Sequence, residues 1–370
     1  MGARTSLVST GPSLAGATDE RGFSLIELIV STALTLVVVG AVLAFVNPVT
    51  TSSQAQPEAI DMHQRVRSAA DALLRDLRAA GAGLDSGPMS GPLVRYLAPI
   101  QPRRMGSVVA EAPEVARPDV VSLTFVPATH AQAELLAPLA LASMTLRPSP
   151  GCPLGSSLCG FTAGMGVLVF DAREHFARFT LTDVIGAEGQ LRLRDPTTPL
   201  VFPGGSPVAE VETRTYYFDP DARQLRVDDN DRTDSPVIDD VVGFVVEYFG
   251  DAVPPMFPRP PIGDANCLYD AAGTRLPGMF TLSPGADGLA ALPLDMLADG
   301  PWCGSGSTRF DADLLRVRRM RVTLRVQAAQ PFLRAGSPDV IVGGTSQSAW
   351  RNLADIVVSF DVAPRNMNLK

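Results

Sequence analysis

Residues 21–46 read RGFSLIELIVSTALTLVVVGAVLAFV, and this stretch decides how the N-terminal part of the chain folds. From Phe23 to Val46 it is apolar apart from a few hydroxyl groups and one formal charge, Glu27. As an α-helix the stretch would be about 36 Å long, enough to cross a hydrocarbon core of about 30 Å with some tilt. The sequence therefore predicts one membrane-spanning helix.

The distribution of basic residues predicts the orientation of this helix. Arg4 and Arg21 precede it, and no Lys or Arg follows until Arg65. The positive-inside rule then places the N-terminus in the cytoplasm and residues 47–370 on the other side of the membrane. A secretory signal has its small-residue cleavage site after the apolar core, whereas Gly22 lies before it. Cleavage after Gly22 would leave the anchor in the chain.

Glu27 requires an explanation, because a charge inside a membrane helix is costly. The cost is roughly 2.5–3.5 kcal/mol at the centre of the bilayer and less near the interface, so such a charge is usually kept for a partner. If the chain is cut after Gly22, Phe23 gains a free α-amine that could pair with Glu27 of a neighbouring copy. The alternative is a carboxylate that reaches the interface in an ordinary signal anchor.

The run from Gly22 to Val30, GFSLIELIV, resembles the class III signal of type IV pilins and of type II secretion pseudopilins. The resemblance implies that residues 1–22 are a leader, that prepilin peptidase cuts after Gly22, and that it methylates Phe23. It implies that Glu27 aligns subunits during assembly. The expected partners are other pilins or pseudopilins, contacted through the N-terminal helix. The expected location is the inner membrane with a periplasmic body, followed by the pilus or cell surface.

The four cysteines all follow the anchor, where the compartment should be oxidising. Their even number favours two disulfides, and the expected pairs are Cys152 with Cys159 and Cys267 with Cys303. Zinc binding is the alternative, but the chain has no Cys-x-x-Cys and no histidine near these residues.

Composition and motifs argue against several other functions. The formal net charge of −8 disfavours a nucleic-acid surface, which needs Lys and Arg. The chain lacks the G-x-S-x-G, H-E-x-x-H, Walker A and G-x-G-x-x-G motifs. We therefore expect that the protein is not an enzyme and that it binds no cofactor or metal. His63, His130 and His175 show no carboxylate or cysteine arrangement and are interpreted as structural or surface residues. The acidic run 228–234 is interpreted as a hairpin tip rather than a calcium site.

After the anchor, assigned to residues 23–47, the sequence predicts a second helix within residues 48–84. Pro48 and the polar residues 50–56 interrupt the apolar run, and Pro57 suits the first turn of a new helix ending near Ala80. Gly81 and Gly83 would end it. Six apolar residues at three- and four-residue steps predict one buried stripe: Met62, Val66, Ala69, Leu73, Leu77 and Ala80.

Residues 85–370 are expected to form a β-rich body with an insertion at about 250–308. Strands are predicted at 119–126, 166–171, 176–184, 190–194, 210–218, 224–227, 237–249, 316–326 and 355–362. In the 316–326 strand the apolar residues change phase, which predicts a bulge near Arg318 and Arg319. Residues 85–118 and 250–308 are rich in Pro and Gly and are predicted to be loops.

Three further segments resemble PilW-type minor pilins and the J-type pseudopilins: residues 74–81 (LRDLRAAG), 215–218 (TYYF) and 362–366 (VAPRN). The resemblance implies an α+β, pilin-like fold, with an N-terminal helix on an antiparallel sheet. It implies a minor pilin that acts in pilus assembly or in a tip complex. The alternatives are a minor pseudopilin of type II secretion and a pilus-displayed adhesin or ligand-binding module that uses residues 250–308. An anchored enzyme is the least favoured.

Overall fold

The computed structural model describes residues 24–83, 97–105, 110–127, 131–139, 142–148, 158–171, 175–186, 189–194, 201–229, 233–304, 308–334 and 353–367. The chain divides into two compact units, Met1–Gln54 and Ala55–Lys370. An apolar N-terminal helix is followed by antiparallel sheets, so the predicted α+β, pilin-like architecture is confirmed.

One helix, α1, spans Leu25–Ala79. The predicted interruption at Pro48 and the predicted new helix at Pro57 are therefore wrong, because α1 is assigned through both residues. Each proline removes one N–H from the helix ladder, at a cost of about 3 kcal/mol in a helix interior. The helix nevertheless continues, and after Pro57 its sequence is rich in good helix formers such as Ala, Leu and Arg.

In the second unit, one face of α1 is buried. The six residues of the predicted stripe are each at most 3% exposed, so this prediction is confirmed. The helix ends at Ala79, and Gly81 follows with a φ of +74°, a left-handed conformation that favours glycine. The N–H of Gly81 then donates to the carbonyl of Thr124, 3.0 Å away.

Seventeen strands follow in the described residues. They are β1 (Ile100–Gln101), β2 (Val120–Phe125), β3 (Gln132–Leu135), β4 (Ser143–Pro148), β5 (Gly166–Phe170), β6 (Phe176–Ile185), β7 (Gln190–Arg194), β8 (Pro207–Glu210), β9 (Glu212–Asp219), β10 (Gln224–Asp228), β11 (Asp234–Asp239), β12 (Val241–Asp251), β13 (Leu289–Leu292), β14 (Trp302–Cys303), β15 (Phe310–Asp311), β16 (Val317–Val326) and β17 (Ile356–Val362).

These strands form two open sheets, a closed barrel and a short ribbon. One open sheet has the order β1-β2-β9-β10-β11 and the other β13-β12-β16-β17. Both contribute to the main hydrophobic core, together with the buried stripe from Val66 onward. Met62 packs in a separate small cluster with Ala328 and Leu333. The barrel has the order β3-β4-β7-β6-β5-β8, and β14 pairs with β15.

The barrel was not predicted. Its six strands lie in sequence between β2 and β9, which are neighbours in the five-stranded sheet. It has a hydrophobic core of its own, built around residues such as Leu135, Val169 and Leu181, to which α1 contributes nothing among the described residues. The predicted strands 166–171, 176–184 and 190–194 became β5, β6 and β7, whereas β3, β4 and β8 gave no clear signal.

Two predicted strands are divided in the structure. The predicted strand 210–218 is split between β8 and β9 at Val211, and the predicted strand 237–249 is split between β11 and β12. The second division occurs at Asp240, which has a φ of +58°, a backbone conformation that a continuous strand does not adopt. The predicted bulge is confirmed, because Phe249 pairs with Arg319 and Gly250 with Val317, which leaves Arg318 as the extra residue.

Candidate functional site

The segment Leu25–Leu43 of α1 is the candidate functional site. All 19 of its residues are exposed within the protein, although the segment is strongly apolar. As helix it is about 29 Å long, close to the thickness of a hydrocarbon core. Its length and composition therefore fit a membrane-spanning helix that buries its side chains against lipid or other protein chains rather than in this chain's own core.

The hydroxyl groups of this segment are satisfied inside the helix. The Oγ of Ser31 donates to the carbonyl of Leu28 at 3.0 Å, and the Oγ1 of Thr32 donates to the same carbonyl at 2.8 Å. The Oγ1 of Thr35 donates to the carbonyl of Ser31 at 2.7 Å. A polar group without a partner costs several kcal/mol in hydrocarbon, so these bonds suit the segment to an apolar environment.

Glu27 is the one ionisable side chain of the segment, and it lies in the first turn of α1. Its Oε2 accepts a long hydrogen bond, 3.4 Å, from the backbone N–H of Ser24. The Oγ of Ser24 in turn accepts from the N–H of Ile26 at 3.3 Å. Ser24 and Glu27 thus have the spacing of a capping box, and the negative charge lies at the helix end that favours it. The other carboxylate oxygen, Oε1, makes no hydrogen bond within the described residues.

Sequence reasoning missed this capping arrangement, although the Ser-x-x-Glu spacing before an apolar run is its known signal. The finding gives Glu27 a local role besides the predicted contact with another subunit. Gly22 and Phe23 lie outside the described residues, so cleavage after Gly22 and pairing of the Phe23 amine with Glu27 stay predictions.

The cysteines in the described residues are oxidised. Cys267 and Cys303 form a disulfide with their Cα atoms 4.9 Å apart, and this is one of the two pairs proposed from the sequence. Cys159 is also disulfide-bonded. Its proposed partner, Cys152, lies outside the described residues. The Cys267–Cys303 bridge joins a loop of the predicted insertion to β14, the last strand before residue 308.

Arg316 is a second anchor of the insertion, and its side chain is fully buried. Its Nε donates to the carbonyl of Asp251 at 2.8 Å and its Nη2 to that of Ala252 at 2.6 Å. Its Nη1 donates to the carbonyl of Phe280 at 3.0 Å and to Oδ1 of Asp313 at 2.8 Å. One guanidinium therefore fixes both ends of the segment 251–280. Residues 309–325 contain six arginines, and no local pattern in the sequence distinguishes the buried one from the others.

Asp299, Asp311 and Asp313 are the one carboxylate group in the described residues whose ligand atoms could hold a metal ion, since these atoms lie within 4.8 Å of one another. Burial raises the pKa of Asp311 to about 7, and it also raises the pKa of Asp313 and of Asp299. The oxygens of Asp311 already accept from the N–H groups of Gly300 and Asp313. The cluster therefore has a structural role, and the sequence did not indicate it.

The other polar residues singled out in the sequence have local partners. Asp229 accepts from the N–H and hydroxyl of Thr233, and Asp234 accepts from the Tyr217 hydroxyl at 2.7 Å, at the predicted hairpin of β10 and β11. The expectation that the histidines lack a carboxylate neighbour is wrong for His175, which is held by Asp171. His63 is exposed, and His130 lies outside the described residues.

The His175 ring lies close to Asp171 because the two residues flank the adjacent ends of the paired strands β5 and β6. The Nδ1 of His175 is 3.1 Å from Oδ2 of Asp171, and the His175 N–H donates to Oδ1 at 3.0 Å. The side chain of the histidine is about half exposed, and no nucleophile or second histidine is paired with it in the described part of the chain. The pair links the adjacent ends of β5 and β6.

Comparison with known proteins bears on the N-terminal segment. A family model described as the prokaryotic N-terminal methylation motif matches residues 18–43. No curated protein and no solved structure matches the chain. The matched residues include Gly22, Phe23 and Glu27 as well as the exposed apolar part of α1. The motif and the single apolar helix together support a type IV pilin-like or pseudopilin-like protein with a single-pass membrane anchor.

Proposed function

We propose that this protein is a minor pilin that takes part in the assembly, or in the tip complex, of a type IV pilus. The observation that carries the proposal is the methylation motif at residues 18–43 on a helix segment that is fully exposed within its own chain. Such a helix needs an apolar environment, which the inner membrane supplies before assembly and neighbouring pilin helices supply afterwards. The proposed role is structural, and we propose no catalytic activity.

The proposed mechanism depends on the charge of Glu27. Prepilin peptidase would cut after Gly22 and methylate Phe23, whose amine would then meet the Glu27 carboxylate of a neighbouring pilin. In a low dielectric this attraction is stronger than in water, so it would align the two helices in register. The exposed carboxylate supports this role: within the described residues its Oε1 makes no hydrogen bond, so the group can cap its own helix and still accept a hydrogen bond from another chain.

Three variants distinguish the proposed role of Glu27 in filament assembly from its role in capping α1. Glu27→Gln keeps an oxygen that can accept from the Ser24 N–H but removes the charge, and Glu27→Ala removes both. Ser24→Ala removes the capping hydroxyl and keeps the charge, at a cost to the helix of about 1 kcal/mol. We expect both Glu27 variants to be processed and held in the membrane, yet to be absent from sheared filaments, whereas Ser24→Ala enters them. Normal incorporation of Glu27→Gln would show that charge has no role in assembly.

A type II secretion pseudopilin would use the same helix in a different machine, so the machine has to be tested in the producing cell. Deletion of the gene should abolish or reduce surface filaments and leave the secretion of folded periplasmic enzymes unchanged. Loss of that secretion with normal filaments would favour the pseudopilin.

Exposed apolar side chains support a second candidate function, display of a ligand-binding or adhesive surface. Met256, Ile262 and Phe280, all in the insertion, are 66%, 108% and 75% exposed. Contiguous exposed apolar groups often mark interaction sites, and we propose that these three side chains contribute to one such surface. The double variant Met256→Ser and Ile262→Ser should leave assembly intact and reduce attachment of the cells to surfaces. Unchanged attachment would remove the support for this candidate.

A further inference from the structure

The two open sheets have four edge strands, and three of them are poor sites for an added strand. β1 has two residues and β13 has four. β11 has six but contains Pro236, which has no N–H to donate, and it begins and ends with an aspartate. Short length, proline and charge are the usual means by which proteins protect a sheet edge. The barrel is closed and has no edge.

β17 differs from these three edges. It has seven residues, IVVSFDV, with neither proline nor lysine, and β16 is its one partner among the described strands. No other backbone hydrogen bond reaches residues 356–362 in the described part of the chain. Alternate residues of an edge strand point their N–H and C=O groups away from the sheet. About half of the residues of β17 therefore present backbone groups that another strand could bind.

The side chains of β17 indicate what kind of strand would fit. On the core side, Ile356, Val358 and Phe360 are only partly buried, and among the described strands none lies beyond β17. On the outer side, Val357 is 60% exposed. Apolar side chains at alternate positions of an added strand would complete the burial of the core side.

The charges on the outer side indicate the chemistry of the other face. Asp361 is the charged residue of β17, and Asp355 directly precedes the strand, so both charges at this edge are acidic. Its neighbour β16 meets them with arginines: Arg321 Nε lies 2.8 Å from Asp361 Oδ1, and Arg325 Nη2 lies 2.7 Å from Asp355 Oδ2. A strand added on the other side of β17 would lie beside the same two carboxylates. Basic side chains are therefore favoured on its outer face.

We propose that the open edge of β17 is a strand-addition site for another protein chain. The segment it binds is extended, has apolar side chains on the face toward the core, and has basic side chains beside Asp355 and Asp361. Backbone hydrogen bonds would provide affinity, and the alternation of side chains would provide specificity. The site is separate from the N-terminal helix, so its failure would leave the proposed role in assembly untouched.

The test uses the full-length protein in detergent micelles and a fluorescent peptide with the sequence of residues 317–326, VRRMRVTLRV, as the probe. Residues 320–326 of this sequence, MRVTLRV, have the required alternation, since each of them pairs with one residue of β17 in the protein itself. A scrambled peptide of the same composition controls for general attraction to the acidic protein. Fluorescence anisotropy should show that the probe binds more tightly than the scrambled peptide. Equal binding of the two peptides would overturn the proposal.

Two matched variants locate the site. Val357→Lys places a positive charge on the edge strand, beside the basic side chains of the added strand. Val245→Lys is the control: it places a positive charge on the same face of the sheet but on the central strand β12, where Val245 is 42% exposed. Like charges on adjacent strands repel, so Val357→Lys should weaken probe binding roughly three- to fivefold. Val245→Lys should change it less than twofold. Equal loss in both variants would contradict the proposal.

Hydrogen exchange of the unmodified protein gives an independent readout. Bound probe should slow amide exchange in residues 356–362 and leave β11 unchanged, because added strands protect the N–H groups to which they bond. Protection at β11 or on the barrel without protection of β17 would overturn the assignment of the site to this edge.

Discussion

Replacement of Arg316 by methionine should strongly destabilise the protein, because this buried side chain holds the insertion in place. Methionine fills much of the same volume but donates no hydrogen bond, so the variant leaves three backbone carbonyls without their donor. It also leaves the carboxylate of Asp313, which is 2% exposed, without its cation. Both effects act on the same buried site.

The size of the effect follows from the burial of the pair. Removal of one partner of a buried ion pair costs about 3–5 kcal/mol, because the remaining charge is uncompensated. For a body larger than 250 residues, each kcal/mol lowers the melting temperature by roughly 2 °C, so a loss of about 4 kcal/mol gives roughly 8 °C. The hydrogen bonds to the carbonyls belong to the same network as the ion pair. The free energy lost with them is therefore not added to the cost of about 3–5 kcal/mol as a separate contribution.

Thermal unfolding of the full-length protein in detergent, followed by tryptophan fluorescence, would measure this change. Arg325→Met is the matched control, since Arg325 pairs with Asp355 at the surface and its side chain is 58% exposed. Exposed pairs contribute about 1 kcal/mol or less, so the control should melt within roughly 2 °C of the parent. If Arg316→Met melted as the control does, the buried arginine would not be what holds the insertion in place.

Three further predictions concern other parts of the chain. Replacing both Cys267 and Cys303 by serine should cost about 4 kcal/mol on a loop-entropy estimate for their separation of 36 residues, measured as the free energy of unfolding. Burial raises the pKa of Asp311 to about 7, above the value of about 3.9 in an unfolded chain, so its stabilising contribution is complete below pH 4 and is lost as the pH rises through 7. The melting temperature should therefore fall more steeply between pH 5 and pH 8 in the parent than in Asp311→Asn. The intact mass of membrane-extracted protein should match a chain that begins at a methylated Phe23, and a mass that begins beyond residue 46 would instead indicate an ordinary signal peptide.

Local pattern was sufficient to predict several parts of the fold. The stripe on α1 and the strand β17 each repeat an apolar residue at the period of their own secondary structure, and the structure buries the stripe fully and the apolar side of β17 in part. The bulge at Arg318 was predictable because an extra residue changes the phase of the alternation. The methylation motif was predictable because its residues are contiguous.

Features that depend on long-range contacts were not predictable. Arg316 and Arg325 lie nine residues apart in similar surroundings, yet one is fully buried and the other exposed. Arg316 is buried because the segment 251–280 folds back onto it. One of its partners in that segment, Asp251, is 65 residues away in sequence. The closure of the barrel likewise depends on the pairing of β3 with β8, which no local period indicates.

The position of the barrel in the chain has a consequence for the order of folding. β2 and β9 pair, but 87 residue positions separate Phe125 from its partner Glu212, so pairing from an open chain would have to close a long loop. Inside the barrel, Gln132 pairs with Ala209, which brings the two ends of that loop together. We expect the barrel to form first and thereby to place β9 next to β2, so that the two strands can pair. Pulse-labelled hydrogen exchange would then show protection of β5 and β6 before protection of β9, and the opposite order would mean that the five-stranded sheet assembles without help from the barrel.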